Sequence, residues 1–257
     1  MSFLLAIFLG VVQGLTEFLP VSSSGHLVLV QEVFGISEPP IFFMTMVHLG
    51  TLLAVLLFFG RELIRVARVG RVVKKIAIGT LPVAVVGLVV QPFVKEIFGS
   101  LLVVGVGYFI TAGLLFWTKS FSAGQKKLTE LTLRQTLLIG GFQAIAIFPG
   151  ISRSGATIVE GLSQKLSREE AFKFSFYLSI PAVIGANILQ LKDLSSVDFL
   201  PQSLLGMMAA FVVGYFSLKL LQKVLTAGKL YYFSGYCLLL GIISVTLDPV
   251  RSFLWKG

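Results

Sequence analysis

The sequence predicts an all-α integral membrane protein: six transmembrane helices plus two re-entrant helical hairpins, arranged as an inverted-topology repeat. Three observations carry this expectation. The 257-residue chain is 56% hydrophobic and only 13% charged, with a mean hydropathy of +0.93, whereas a soluble domain carries roughly 25% charged residues. Its apolar residues run in continuous stretches rather than in alternation, which speaks against a β-barrel. And one polar-interrupted segment returns 130 residues later.

A helix crosses the hydrocarbon core with about 20 mainly apolar residues. Six stretches qualify: 41–60, 76–94, 99–118, 170–191, 203–223 and 230–247. Residues 2–34 and 135–163 are apolar too, but each is broken halfway, by FLPVSSSGH in the first and FPGISRSGAT in the second. Irregular backbone at membrane depth survives only where protein or a wet cavity surrounds it. Both segments therefore read as hairpins that enter and leave on one side. Ser167-Arg168-Glu169-Glu170 reads as a capping box opening the fourth span, with Glu169 and Glu170 paired to neighbouring bases.

Loop charge sets the orientation. The segment 61–75 holds six basic residues and one acid. Lys119, Lys126, Lys127, Arg134, Lys165, Arg168, Lys173, Lys219, Lys223 and Lys229 fall on the same side, which totals 16 basic residues. Only Lys95, Lys192, Arg251 and Lys256 fall opposite, and Arg153 lies within a hairpin. The positive-inside rule puts the basic side in the cytoplasm and both termini outside. The net charge of +9 is then a property of cytoplasmic loops, and no nucleic-acid partner is expected. The single cysteine, Cys237, excludes a disulfide framework. The start, MSFLLAIFLG, lacks a basic n-region and does not read as a removable signal peptide.

The repeat is the sharpest signal. GVVQGLTEFLPVSSSG (10–25) laid without gaps on GGFQAIAIFPGISRSG (140–155) gives six identities in sixteen positions, among them Gln13/Gln143, Ser22/Ser152, Ser24/Ser154 and Gly25/Gly155. The chain is one membrane domain, 1–257, of two halves, 1–118 and 135–247, each a hairpin followed by three spans. An odd number of crossings inverts one half against the other, so the hairpin tips can meet near the midplane. Inverted repeats with broken helices also mark transporters, so the tips must decide.

At the first tip, Gln13 and Glu17 share a helix face, and Ser22, Ser23, Ser24 and His26 follow the Leu19-Pro20 break. An acid, hydroxyls and an imidazole form a nucleophile and acid–base set, and a carboxylate at membrane depth is a functional candidate by default. At the second tip, Ser152, Arg153, Ser154 and Thr157 open a helix after Pro149-Gly150. Unpaired N–H groups, hydroxyls and an Arg suit an anion such as phosphate. Glu17 lies on Ile147 across the repeat and Ser23 on Arg153, so one copy is an acid–base arm and the other an anion arm. His48, inside a span, reads as a packed or pocket-lining histidine, and Glu160 shares a helix face with Arg153 and Thr157 and either pairs with Arg153 or simply faces water near the cytoplasm.

These segments, Gln13-Gly-Leu-Thr-Glu17-Phe-Leu-Pro-Val-Ser-Ser-Ser-Gly-His26 and Pro149-Gly-Ile-Ser-Arg-Ser-Gly-Ala-Thr157, resemble the (E/Q)xxxE and PGxSRSxxT motifs of bacterial undecaprenyl-pyrophosphate phosphatases of the bacitracin-resistance type. The resemblance implies hydrolysis of undecaprenyl pyrophosphate to undecaprenyl phosphate in the inner (plasma) membrane, recycling the lipid carrier of cell-wall synthesis. It also implies a divalent cation, Mg²⁺ or Ca²⁺, and a site open to the outer, periplasmic face. In that reading Arg153 and the N–H groups of Ser152 to Ser154 grip the pyrophosphate, with Ser22 and Ser24 beside them. Glu17 with Gln13 holds the cation, since hard cations prefer oxygen ligands. Ser23 is the preferred nucleophile and His26 the general acid or base, while attack by water or by His26 stays open. Thr157 orients Arg153 or the phosphate. The partners are the polyprenyl pyrophosphate lipid and the bilayer, and a homodimer stays open. The rival readings are a transporter or flippase of an anionic lipid and, more weakly, a structural membrane subunit.

Overall fold

The computed structural model describes residues 1–36, 40–122, 124–192 and 199–254. Lys256 lies outside these, as do the side chains of Lys95, Lys192 and Arg251, so the charges expected on the less basic side are not described. Among the described residues the chain is helical throughout, with no strand. The helices are α1 (Phe3–Phe18), α2 (Ser23–Phe34), α3 (Ile41–Ala67), α4 (Gly70–Val90), α5 (Val94–Phe98), α6 (Leu101–Trp117), α7 (Leu133–Ile145), α8 (Arg153–Ser163), α9 (Arg168–Lys192), α10 (Leu200–Thr226) and α11 (Tyr232–Leu254).

Five of them, α3, α4, α6, α9 and α10, with the turns that extend α4 and α6, are long and apolar enough to cross a membrane. They correspond to the first five expected spans. The sixth expected span, 230–247, is α11, whose apolar part Tyr232–Asp248 is shorter. The arms α1, α2, α7 and α8 have 16, 12, 13 and 11 residues. At 1.5 Å per residue each is roughly 16–24 Å long, short of the ~30 Å hydrocarbon core.

Each break has a local cause. Pro20 cannot continue α1, and the chain turns through Ser22, a non-glycine residue at φ 63°, before Ser22 Oγ caps α2 by accepting from Gly25 N. A serine in that sparsely populated region is strained and needs surrounding contacts to hold it. In the second break, Gly150 sits at φ 89°, and Ser152 Oγ caps α8 by accepting from Gly155 N at 3.1 Å. A side chain at Gly150 would strike the backbone of α6, so only glycine fits.

Helix starts recur at one offset: Phe3 and Leu133, Ser23 and Arg153, Gly70 and Leu200 are each 130 residues apart. Packing is exchanged in the same sense, α1 lying along α10 and α7 along α4. The third long helices, α6 and α11, pack extensively on each other through Gly105 and Gly241. Phe59, Phe172, Phe176 and Tyr177, all buried, join α3 to α9. Lys173 clamps the same pair, donating to Glu62 at 2.7 Å and Glu169 at 2.6 Å.

Two smaller expectations are corrected. The capping box at Ser167 is half formed: Glu170 N donates to Ser167 Oγ, but the Glu170 carboxylate accepts from Leu128 N at 2.6 Å instead of reaching back. Glu169 finds a base in Lys173 and Glu170 does not. The backbone N–H of Ser167 goes to Lys126 O, leaving the carboxylate free to tie the preceding loop to α9.

Candidate active site

Helix α1 presents Gln13 and Glu17 from its last turns, and α8 presents Arg153 from its first. The two breaks touch. Glu17 Oε1 accepts from Arg153 Nη2 at 2.5 Å, and Glu17 Oε2 accepts from Ser23 Oγ at 2.8 Å and from Gln13 Nε2 at 3.0 Å. The ion pair is largely withdrawn from solvent, its side chains 10% and 17% exposed. Taking both charges out of water is expensive, and the pair persists because each charge satisfies the other. Arg153 Cζ also lies 5.9 Å from the Phe176 ring centre, so an apolar floor limits where the guanidinium can go.

Among the described residues, two buried groups at this point have no partner: Arg153 Nη1 and Gln13 Oε1. An unpaired buried donor and an unpaired buried acceptor are each costly unless a ligand completes them. The donor suits an anionic oxygen and the acceptor suits a cation. Among the described residues no group of three or more His, Cys, Asp or Glu side chains could hold a metal. A cation here would thus take one carboxylate, Glu17, and one amide oxygen, Gln13, with substrate oxygens and water filling the rest. That donor set fits Mg²⁺ or Ca²⁺, which are often held by one or two carboxylates and phosphate.

The serines pair along each break. Ser22 Oγ lies 3.3 Å from Ser24 Oγ, and Ser152 Oγ 3.2 Å from Ser154 Oγ. Gly150 N donates across the contact to Ser22 Oγ at 3.1 Å, and Ser154 Oγ reaches Leu19 O at 3.4 Å. At the α8 start, Ser152 N is taken by Thr111 Oγ1 at 3.0 Å, so of the three amides expected to grip an anion only those of Arg153 and Ser154 are free. Thr157, buried, donates to Arg153 O at 2.8 Å and shares a 2.7 Å hydrogen bond with Ser175 Oγ of α9. It anchors the α8 backbone and does not touch the guanidinium.

His26 is not joined to Ser23. Its Nδ1 meets Ser22 O at 2.7 Å and Tyr108 Oη at 2.9 Å, and its Nε2 meets Tyr236 Oη at 2.7 Å. The Tyr236 ring stacks on the imidazole, centres 5.6 Å apart at 17°. The carbonyl at Nδ1 assigns the proton there, which leaves Nε2 to accept from Tyr236. Ser23 instead has a carboxylate acceptor. Glu160 is buried and its Oε1 accepts from Gln164 Nε2 at 2.6 Å; the pairing considered with Arg153 is not formed, and Arg153 pairs with Glu17 instead. His48 bonds Met44 O of its own helix through Nδ1 at 2.8 Å.

Sequence reasoning missed Tyr108, Thr111, Ser175 and Tyr236. Each is a hydroxyl residue in a mainly apolar span, where a Ser or Thr usually bonds its own backbone and a Tyr usually packs. Nothing in their spacing singled them out.

The arrangement can hold an anion between a guanidinium and two free amides, and it places a hydroxyl against a carboxylate beside it. The family described as bacitracin resistance protein BacA matches residues 6–243, a stretch that contains every residue of the site from Gln13 to Tyr236. The chain belongs to that family. Known BacA-type relatives are similar along nearly their whole length. An undecaprenyl-diphosphatase of Korarchaeum cryptofilum is 44% identical over 261 residues, covering 94% of this chain and 98% of the relative. That of Methanosphaera stadtmanae is 39% identical over 275 residues, covering 97% and 99%, and that of Carboxydothermus hydrogenoformans is 41% identical over 257 residues, covering 96% and 98%.

Proposed function

We propose that this BacA-family protein hydrolyses undecaprenyl pyrophosphate to undecaprenyl phosphate and inorganic phosphate. The observation that carries this reading is the contact of Glu17 with both Ser23 and Arg153, which joins a nucleophile, its base and an anion anchor from two distant breaks. The names of the relatives supply the substrate.

Arg153, through its unpaired Nη1, and the amides of Arg153 and Ser154 hold the outer phosphoryl group and the charge that gathers on it. Glu17 takes the Ser23 proton as Oγ bonds to the outer phosphorus. The bridging P–O bond breaks, and its electron pair leaves with undecaprenyl phosphate, which takes the proton from Glu17. A water then attacks the phosphoserine, giving its proton to Glu17. The Oγ–P bond breaks, inorganic phosphate departs, and Ser23 recovers its proton. His26, with both ring nitrogens engaged, fixes the α2 start and the Ser22–Ser24 segment rather than attacking phosphorus. Glu17 and Gln13 are the residues that would hold Mg²⁺ or Ca²⁺, which when bound neutralises phosphate oxygens.

In the membrane, α1–α2 and α7–α8 are re-entrant hairpins and α3, α4, α6, α9, α10 and α11 are the six spans. The halves 1–118 and 135–247 are inverted copies. The arm lengths, the 130-residue offset shared by three pairs of helix starts and the exchanged packing support this arrangement. With the basic loops cytoplasmic, the termini lie outside and the site opens to the outer leaflet of the plasma membrane. Purified protein in detergent should release phosphate from a polyprenyl pyrophosphate, and Glu17→Ala and Arg153→Ala, checked for folding, should not. Equal release by all three would end the proposal.

A further inference from the structure

The two third helices each hold the tip that belongs to the other half. On α11, Tyr236 bonds His26 and Cys237 Sγ lies 3.6 Å from Pro20 O. On α6, Gly107 backs onto Pro149 and Gly150 so closely that no side chain would fit, and one turn on stands Thr111. Gly107 and Cys237 are 130 residues apart, so the two grips are counterparts. They differ in chemistry: α11 reaches a side chain of the first tip through Tyr236 and a carbonyl through Cys237, whereas Thr111 holds two backbone groups of the second.

Thr111 Oγ1 is buried and fully used. It donates to Gly150 O at 2.8 Å, the shorter of its two carbonyl contacts, the other being Gly107 O of its own helix at 3.1 Å. It accepts from Ser152 N at 3.0 Å. A hydroxyl that donates to one end of a three-residue turn and accepts from the other fixes both the shape of Gly150–Ser152 and the direction in which α8 begins. It also removes one of the orphan amides of the α8 start. Gly155 N and Ala156 N are taken by Ser152. The amides of Arg153 and Ser154 remain.

We propose that Thr111 is a positioning residue, which holds the Gly150–Ser152 turn so that the Arg153 and Ser154 amides and the Arg153 guanidinium converge on one phosphoryl group. This rests on the reading that the second tip binds phosphate. With Val at 111, Gly150 O and Ser152 N–H lose their partner inside a buried turn, and the turn must shift to satisfy them. A shift of that kind in groups that stabilise a transition state lowers kcat more than it weakens binding of a long lipid held by its tail.

The test measures phosphate release from a polyprenyl pyrophosphate by wild type, Thr111→Val, Thr111→Ser and Ser244→Ala. Ser244 is a buried hydroxyl on α11 that bonds only its own helix, at Leu240 O. Thr111→Val should lower kcat about 10- to 100-fold with KM within about twofold. Thr111→Ser keeps the hydroxyl and should stay within about threefold of wild type, and Ser244→Ala should match wild type. Wild-type kcat in folded Thr111→Val, or equal losses in the Val and Ser variants, would overturn the proposal. If Thr111→Val does not fold, Thr111→Ala provides the same comparison against Thr111→Ser. An inactive wild type would instead strike at the phosphatase reading itself.

Discussion

The breaks at Leu19–Ser24 and Pro149–Ser154 share one sequence pattern and, in the proposed reading, do opposite work. Both end an arm at Pro or Pro-Gly, both restart a helix on a serine cap, and both set two hydroxyls side by side. The first keeps a carboxylate one turn before its break and, after it, a hydroxyl that donates to that carboxylate. The second has Ile147 in place of that carboxylate and Arg153 in place of that hydroxyl. Opposite charges thus stand on the two breaks and attract each other across the contact. A symmetric pair of acids would have repelled, and a symmetric pair of arginines would have bound anion without a base. The lesson is that two breaks of like sequence carry opposite charges where they face each other.

The comparison breaks most severely at its charges. Arg153→Ala leaves Glu17 buried without its cation and removes the anion anchor. We expect phosphate release to fall on the order of 10³-fold, with a loss of stability of about 3–5 kcal/mol seen in denaturation. Ser23→Ala should also lower turnover at least about 10³-fold, but without the stability loss. Wild-type enzyme quenched with acid should yield a phosphopeptide containing Ser23, and full activity of the alanine variant would remove the covalent route. Tyr236→Phe tests the lesser role given to His26. Losing one hydrogen bond worth about 1 kcal/mol should lower kcat roughly fivefold; a loss as large as that of Ser23→Ala would restore His26 to the centre of the reaction. The smallest effect belongs to Glu160→Gln. Because Glu160 bonds Gln164 and not Arg153, activity should change less than about twofold.

Much of this was legible in the residues. Pro20, Gly150 and the serine clusters mark the breaks because their backbone chemistry is local, and the offset that aligns Gln13 with Gln143 also aligns the helices. Pairing across the tips was legible only as a class of contact. That Ser23 faces Glu17 while His26 turns to Tyr236 depends on Ser22 taking a positive φ and on α11 arriving beside α2. Neither follows from spacing along one helix. Thr111 and Tyr236 were invisible for the same reason: they act on partners 39 and 210 residues away, and nothing in their own segments sets them apart from the other hydroxyl residues there.

A double-mutant cycle on Glu17→Gln and Arg153→Lys, read as kcat/KM for phosphate release, tests most directly whether the two breaks form one catalytic unit. Each single change should lower the rate on the order of 10²-fold, and the double variant should be little worse than the poorer single, because either change already disables the shared contact. Losses that multiply, to on the order of 10⁴-fold, would mean the two residues act independently and would contradict the account.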